Sequence, residues 1–295
     1  MFNTNNNASP FKQLLFLAAI MIVGAILTII IESGMQLLHI DTNNYYGILT
    51  TQTLAQFVMF LLPAYLFALR FQDSPKHFFK ADIRSGRWGL CLLACLMTIL
   101  AIPSIDWLTS FNDSWHWSGS WQHLEEKLRN VSQLSDTVID QILSKPGFGN
   151  LFLNILVIAL VPAVCEEFLF RGVLQQFFQR WMRNPHIAII SAAAIFSLFH
   201  GQFFAFLPRF AIGIVLGYLF YYSRSIFVNI SAHFLNNAII VVSSYLYHSN
   251  LIAIDPGEPL NLPIGITIAC LLALFVCFFL YFYNREDKHK TSENQ

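Results

Sequence analysis

Residues 151–177 read LFLNILVIALVPAVCEEFLFRGVLQQF, and this stretch decides the class of fold. A helix needs about 20 mainly apolar residues to cross the hydrocarbon core of a bilayer, and the stretch is long enough. Its apolar residues are continuous rather than alternating, which argues against a strand of a membrane barrel. The stretch therefore predicts a transmembrane helix, and this helix carries three charged residues, Glu166, Glu167 and Arg171.

Seven further apolar stretches predict transmembrane helices by the same rule: Leu14–Leu38, Gly47–Leu69, Trp88–Ile105, Ile187–Leu207, Phe210–Tyr222, Ile226–Tyr247 and Leu262–Tyr283. Only 12% of the 295 residues are charged, whereas a soluble domain carries about 25%. This composition excludes a soluble globular enzyme, a disordered chain and a secreted disulfide scaffold. We expect an all-α protein, a polytopic transmembrane helix bundle of about eight spans.

The distribution of basic residues predicts the orientation of the chain, because loops on the cytoplasmic side are enriched in Lys and Arg. With eight spans and a cytoplasmic N-terminus, most basic residues fall on the inner side: Lys12, Arg70, Lys76, Lys80, Arg84, Arg87, Arg180, Arg183, Arg224, Arg285, Lys288 and Lys290. The outer side then holds Lys127, Arg129, Lys145 and Arg209. We therefore expect both termini to be cytoplasmic, in a bacterial cytoplasmic membrane by default.

The chain divides into three regions. Residues 1–150 hold the first three spans and a polar outer segment, residues 151–250 hold a core of four spans, and residues 251–295 hold the last span and a tail. From Trp121 to Leu143, in the outer segment, apolar residues recur every three or four positions, which predicts an amphipathic helix. A helix lying on the bilayer surface is the simpler interpretation, and a lid over a substrate site is the alternative.

The net charge excludes one class of partner, and the positions of the cysteines exclude a disulfide framework. The formal net charge of +0 leaves no basic surplus to neutralise phosphates, so nucleic acid is not an expected partner. The five cysteines all lie in apolar stretches, where they are expected to be small buried side chains without a disulfide framework.

The charged residues inside the fourth span mark a functional site. An ionisable residue at the centre of a span costs about 2.5–3.5 kcal/mol on translocon scales. Glu167 and Arg171 are four residues apart in the orientation that favours a helical ion pair. Glu166 lies about 100° further around the helix, has no such partner and is free to act. Pro162 lacks an N–H donor and is expected to loosen the helix one turn earlier.

Two histidines and an asparagine extend this site to other helices. His200 lies in the predicted fifth span, while His233 and Asn237 lie one turn apart in the seventh. A lone histidine in an apolar helix is more often a core residue, but a glutamate, two histidines and an asparagine on three spans indicate a hydrolytic site. The carboxylate can take a proton from water, a histidine can assist or bind a metal, and a His–Asn pair can stabilise an oxyanion.

Together the three elements Glu166-Glu167-x-x-x-Arg171, Phe196-x-x-x-His200 and His233-x-x-x-Asn237 resemble the CPBP family of intramembrane proteases. That family includes the CAAX prenyl endopeptidases and the bacterial Abi-type bacteriocin-processing and immunity proteins. Each motif is weak alone, but their order and spacing match the family pattern over residues 151–247. The resemblance implies an endopeptidase that hydrolyses a peptide bond of a membrane-associated protein or peptide, in CAAX-type proteolysis.

The resemblance also assigns a role to each residue. It implies that Glu166 activates water with His200 as its partner, that His233 and Asn237 stabilise the oxyanion, and that Glu167 and Arg171 form a structural ion pair. The implied substrate is a protein or peptide, and whether it carries a lipid is left open. The bilayer is the second expected partner. A metalloendopeptidase is one reading, because Glu166, His200 and His233 would form the two-His, one-Glu set of a zinc site. The alternative is glutamate and water without zinc.

Two hypotheses from other functional classes remain. One is a non-catalytic membrane scaffold or bacteriocin-immunity protein that uses the same fold. The other is a small transporter with a Glu–His proton relay, which would need paired repeats that the sequence does not contain. Among the remaining polar residues, Gln52 and Gln56 lie one turn apart in the second span and are expected to bond a neighbouring helix rather than a substrate.

Overall fold

The computed structural model describes residues 8–72, 74–81, 88–260 and 262–293, with the backbone alone from residue 281 onward. Throughout these ranges the chain forms helices joined by short connections and no strand, so the all-α fold class is confirmed. Arg84 and Arg87, two of the basic residues used to predict the orientation, lie outside the described residues.

The helices follow in chain order as α1 (Pro10–Leu37), α2 (Tyr45–Gln56), α3 (Leu62–Phe71), α4 (Pro75–Phe78), α5 (Trp88–Asp113), α6 (Gln122–Leu143), α7 (Phe148–Asn154), α8 (Val161–Leu169), α9 (Gln176–Met182), α10 (Pro185–Phe199), α11 (Phe206–Ser223), α12 (Ile226–His248) and α13 (Ile264–Glu293). Three π-helical turns join successive helices without a break: Phe57–Leu61, Ile155–Leu160 and Phe170–Gln175. Short 3-10 turns precede α6 and α11, at Gly119–Trp121 and Phe203–Ala205.

Six helical stretches are long and apolar enough to cross a membrane: Pro10–Leu37, Tyr45–Phe71, Trp88–Asp113, Phe148–Met182, Phe203–Ser223 and Ile226–His248. Two shorter apolar helices, Pro185–Phe199 and Ile264–Leu280, pack with them. The eight stretches correspond to the eight predicted spans, so the protein is an integral membrane helix bundle. The number of crossings and the cytoplasmic position of both termini stay predictions.

The predicted fifth span, Ile187–Leu207, is wrong at its end. The helix α10 stops at Phe199, and Gly201 adopts a positive φ of 69° that an α-helix does not contain. Hydropathy did not reveal this end because only three residues, His200-Gly201-Gln202, separate Phe199 from the next apolar run. His200 consequently follows the last helical residue of α10 rather than lying within a helix, and α11 begins four residues earlier than Phe210.

Close packing of α10 against α11 depends on two glycines one turn apart. A Cβ on Gly213 would approach the Cβ of Ala193 to 2.9 Å, and one on Gly217 would approach Ile189 Cγ2 to 2.6 Å. Small residues at this spacing let membrane helices approach closely. The backbone carbonyls of both glycines also accept hydrogen bonds from side chains of the π turn Phe170–Gln175.

The amphipathic helix predicted from Trp121 to Leu143 is observed as α6. It contacts α2, α7, α12 and the turn Phe203–Ala205, so it packs across one end of the bundle. Nε2 of Gln202 donates to Asp136 at 3.1 Å, and Nδ2 of Asn154 donates to the Ile142 carbonyl at 3.1 Å. The helix is therefore part of the tertiary structure, and it covers the connection that follows His200.

The main apolar core surrounds the helix that carries the charged residues. Phe67, Leu169, Phe170 and Phe196 belong to one buried cluster, formed by α3, α8, the following π turn and α10. A second cluster joins α5, α11 and α12. Between them lie the three charged residues of the fourth predicted span.

Candidate active site

The helix α8 holds two carboxylates inside the bundle. Glu166 is 5% exposed, Glu167 is fully buried at 0%, and Arg171 is 1% exposed. α8 is flanked by π turns on both sides, and one of them, Ile155–Leu160, ends two residues before Pro162. Proline removes a backbone donor and its ring crowds the carbonyl four residues earlier, which explains the π turn where the helix was expected to loosen.

Glu167 and Arg171 form the predicted ion pair, with Nη1 of Arg171 2.8 Å from Oε1 of Glu167. Arg171 also donates to the Gly213 carbonyl at 3.2 Å, and its guanidinium lies 4.8 Å from the centre of the Phe196 ring. One turn further, Gln175 donates to the Gly217 carbonyl at 2.9 Å. The two glycines of α11 thus accept hydrogen bonds from two side chains of the neighbouring π turn.

Glu167 has two further donors, both from α12. Nδ1 of His233 lies 2.9 Å from Oε1 of Glu167, and Nδ2 of Asn229 lies 3.2 Å from its Oε2. A carboxylate with three charged or polar partners is well compensated for its burial. Glu167 therefore links Arg171 to α12 and sets the orientation of the His233 ring.

Glu166 has an uneven environment. Its Oε1 accepts a hydrogen bond from Nε2 of Gln56 at 3.1 Å, whereas its Oε2 is buried with no hydrogen-bond partner in the described part of the chain. Nε2 of His233 lies 3.9 Å from Oε2. One carboxylate oxygen is fixed, and the other is left open beside an imidazole.

The hydrogen bonds of the two histidines constrain their tautomers. Nδ1 of His200 lies 2.9 Å from the Phe196 carbonyl, which only accepts, so Nδ1 carries the proton. Nε2 is then the acceptor of a neutral His200, whose ring is exposed and interacts electrostatically with Glu166. For His233 the same reasoning places a proton on Nδ1, which faces the Glu167 carboxylate. Phe196 lies between them, with ring centroids 4.8 Å from His200 and 5.9 Å from His233.

Asn237 is half-buried one turn after His233. Its Oδ1 accepts from Nδ2 of Asn236 at 3.3 Å. Asn236 and His233 line a small cavity of about 10 Å³ together with Thr98, which is near the lower limit for one water. The structure thus brings Glu166 and His233 together, places His200 within electrostatic range and leaves Asn237 at the edge of the group.

The described residues contain no group of three or more His, Cys, Asp or Glu side chains arranged to hold a metal ion. In the predicted zinc set of Glu166, His200 and His233, Nε2 of His233 lies 3.9 Å from Oε2 of Glu166, while its Nδ1 faces the Glu167 carboxylate. The involvement of zinc stays a prediction, and no chemical step below passes through it.

Two polar contacts of the site were not predicted. Asn229 donates both to Glu167 and to the Leu216 carbonyl, the latter at 2.6 Å. Gln56 bonds a neighbouring helix as predicted, but its partner there, Glu166, was not foreseen. A polar residue in an apolar stretch was the available signal in both cases, but the sequence does not show which helix such a residue faces.

The segment that contains the candidate site is similar to known proteins. Residues 148–239 match the sequence model of a family described as type II CAAX prenyl endopeptidase, Rce1-like. The uncharacterized protein YpbD of Bacillus subtilis (strain 168) is 32% identical over 90 residues, which cover 29% of this chain and 43% of that protein. The match thus spans less than half of that relative, and no solved structure matches the chain. Residues 148–239 are thus similar in sequence to the type II CAAX prenyl endopeptidases, the family that the three motifs resemble.

Proposed function

We propose that the protein is an intramembrane endopeptidase that hydrolyses a peptide bond of a membrane-associated protein or peptide. The observation that carries the proposal is the open, buried Oε2 of Glu166, 3.9 Å from Nε2 of His233. A buried carboxylate oxygen without a partner costs stability, and such groups are typical of catalytic sites.

The proposed reaction begins with a water molecule bound at this oxygen. Glu166 takes a proton from the water while the water oxygen attacks the carbonyl carbon of the substrate. His200 assists by accepting the second water proton in a hydrogen bond at Nε2, the unprotonated nitrogen of its neutral ring. The C–N bond then breaks, and Glu166 returns the proton to the departing amine.

His233 is the first proposed donor to the oxyanion. Its Nδ1 faces the Glu167 carboxylate, and its Nε2 lies on the side of Oε2 of Glu166. A hydrogen bond from Nε2 to the oxyanion requires a proton on both ring nitrogens. Asn237, one turn further along α12, is the second proposed donor. Glu167 and Arg171 hold the His233 ring and the helices in place.

The test uses protein in liposomes and a fluorescence-quenched peptide that ends in a farnesylated CAAX sequence. Glu166→Gln, His200→Ala and His233→Ala are each expected to lower the cleavage rate by about 10²-fold or more. His186→Ala is the matched control, since His186 starts α10 and bonds Tyr218 away from the site, at 2.8 Å.

The same peptide without the farnesyl group shows whether a lipid is required. If Glu166→Gln cleaves at the rate of the unmodified protein, alone or together with His200→Ala and His233→Ala, the proposed function is wrong. A protein that keeps its biological effect as Glu166→Gln but cleaves nothing would instead favour a scaffold.

A further inference from the structure

Gln56 is the polar side chain that reaches Glu166 from outside the family-matched segment. It is the last residue of α2, and its Nε2 lies 3.1 Å from Oε1 of Glu166, across 110 positions of sequence. Both α2 and the π turn that follows it pack against α8. The site is therefore built from two parts of the chain, and one of them lies outside residues 148–239.

The local sequence explains the direction of Gln56. Pro63 has no N–H to donate, and its ring crowds the carbonyl of Met59, so the helix widens there. The π turn Phe57–Leu61 lies at that position and changes the rotational phase between α2 and α3. Gln56 directly precedes the π turn, and the changed rotation of the helix there directs its amide towards α8.

The contact makes the two oxygens of Glu166 inequivalent. Each carboxylate oxygen can accept hydrogen bonds. The Gln56 amide occupies Oε1, and this leaves Oε2 open on the side of His233. A general base needs such an arrangement, because the lone pair that accepts the proton has to point at the reacting water.

The second polar atom of the Gln56 amide is also available to the site. Oε1 of Gln56 is buried with no hydrogen-bond partner in the described ranges. Unpaired buried amide oxygens are rare in native proteins. The free oxygen beside a base is instead suited to a water molecule or a substrate N–H.

We infer that Gln56 is a positioning residue of the proposed active site, whose amide holds the Glu166 carboxylate with Oε2 directed to the reacting water. The inference rests on the proposed endopeptidase activity. Because Gln56 touches the base, its removal slows the chemical step more than it weakens substrate binding.

The first test measures kcat and KM of Gln56→Met on the farnesylated peptide. Methionine preserves the length of the side chain and removes the donor. We expect kcat to fall about tenfold or more, while KM changes by less than about twofold. Gln56→Ala, which removes the amide without filling its space, is expected to act in the same direction and serves if the first variant folds poorly.

Gln52→Met is the matched control, because Gln52 lies one turn earlier on α2 and carries the same amide. The described hydrogen bonds of Glu166 do not include it. Its kcat is expected to equal that of the unmodified protein.

The second test does not depend on proteolysis. Dicyclohexylcarbodiimide is an apolar reagent that modifies protonated carboxyl groups, and mass spectrometry can locate the modification at Glu166. The Gln56 amide occupies Oε1 of Glu166, and its removal leaves both carboxylate oxygens open to the reagent. We therefore expect Glu166 to be labelled about threefold faster or more in Gln56→Met than in Gln52→Met at the same pH.

The outcomes separate this inference from the proposed function. If Glu166→Gln is inactive while Gln56→Met and Gln56→Ala keep normal kcat and normal labelling, Gln56 has no positioning role and the proposed function stands. A raised KM with unchanged kcat also overturns the inference. If Glu166→Gln cleaves normally, the proposed function is wrong, and the positioning role of Gln56 is wrong with it.

Discussion

Arg171 is the cation on which the buried carboxylates depend. Its guanidinium is 1% exposed and contacts Glu167, the Gly213 carbonyl and the Phe196 ring. A buried ion pair adds little stability over an apolar pair, but removal of one partner leaves an uncompensated charge. The structural role of Arg171 can therefore be measured separately from catalysis.

Arg171→Met is expected to lower the free energy of unfolding by about 3–5 kcal/mol, because Glu167 stays buried with its cation removed. Heating in detergent followed by size-exclusion chromatography measures the loss. Arg70→Met, at an exposed position, is the control and is expected to change little. The double variant Arg171→Met with Glu167→Gln should recover part of the loss. Equal stability of Arg171→Met and Arg70→Met would contradict the prediction.

At the scale of elements, α6 is anchored by a cluster at its first turn. The Glu125 carboxylate accepts the backbone N–H of Trp117, Nε of Arg129 at 2.9 Å and Nδ1 of His116 at 3.0 Å. Arg129 also pairs with Asp113 at 2.8 Å. The Trp117 N–H and the Arg129 side chain together lower the pKa of Glu125 from 4.5 to about 2.

This lowered pKa predicts how the anchor of α6 depends on pH. A carboxylate whose pKa is lower in the folded state contributes stability above its ordinary value, and the contribution is lost as the pH falls from 4.5 towards 2. Hydrogen-exchange protection of the first turns of α6 should therefore decrease across that interval. In Glu125→Gln the protection should be lower at neutral pH and should lose this dependence.

The neighbouring Glu126→Gln is the control for α6, since its side chain is 72% exposed. It is expected to keep the protection and the pH dependence of the unmodified protein. A Glu125→Gln variant that behaves like Glu126→Gln would show that the cluster does not anchor the helix.

For the whole molecule, the asymmetry of basic residues predicts the orientation. Alkaline phosphatase folds only outside the cytoplasm, so a fusion after Ser144 is expected to be active and a fusion after Ser74 inactive. A fluorescent protein at the C-terminus should fluoresce, because eight spans return the chain to the cytoplasm. An active phosphatase after Ser74 would reverse the topology and place α6 on the cytoplasmic side.

Interactions between residues close in sequence could be predicted, whereas contacts between distant helices could not. The α6 helix and the Glu167–Arg171 pair were predictable because residues three or four apart share a helix face. The end of α10 was not, since only His200, Gly201 and Gln202 interrupt the apolar residues there and hydropathy does not register the positive φ of Gly201. The contact of Gln56 with Glu166 depends on two π turns and on how two distant helices pack.

The sequence by itself determined that this chain resides in a membrane, where its helices lie and which charged residues are buried. Those properties follow from local composition and from the cost of charge in hydrocarbon. Only the tertiary structure decided which groups meet each carboxylate: Gln56 at Glu166, and His233 with Asn229 at Glu167. The physical reason is that a side chain's partner depends on the rotation of its helix about its own axis, which π turns and close glycine contacts set and hydropathy does not encode.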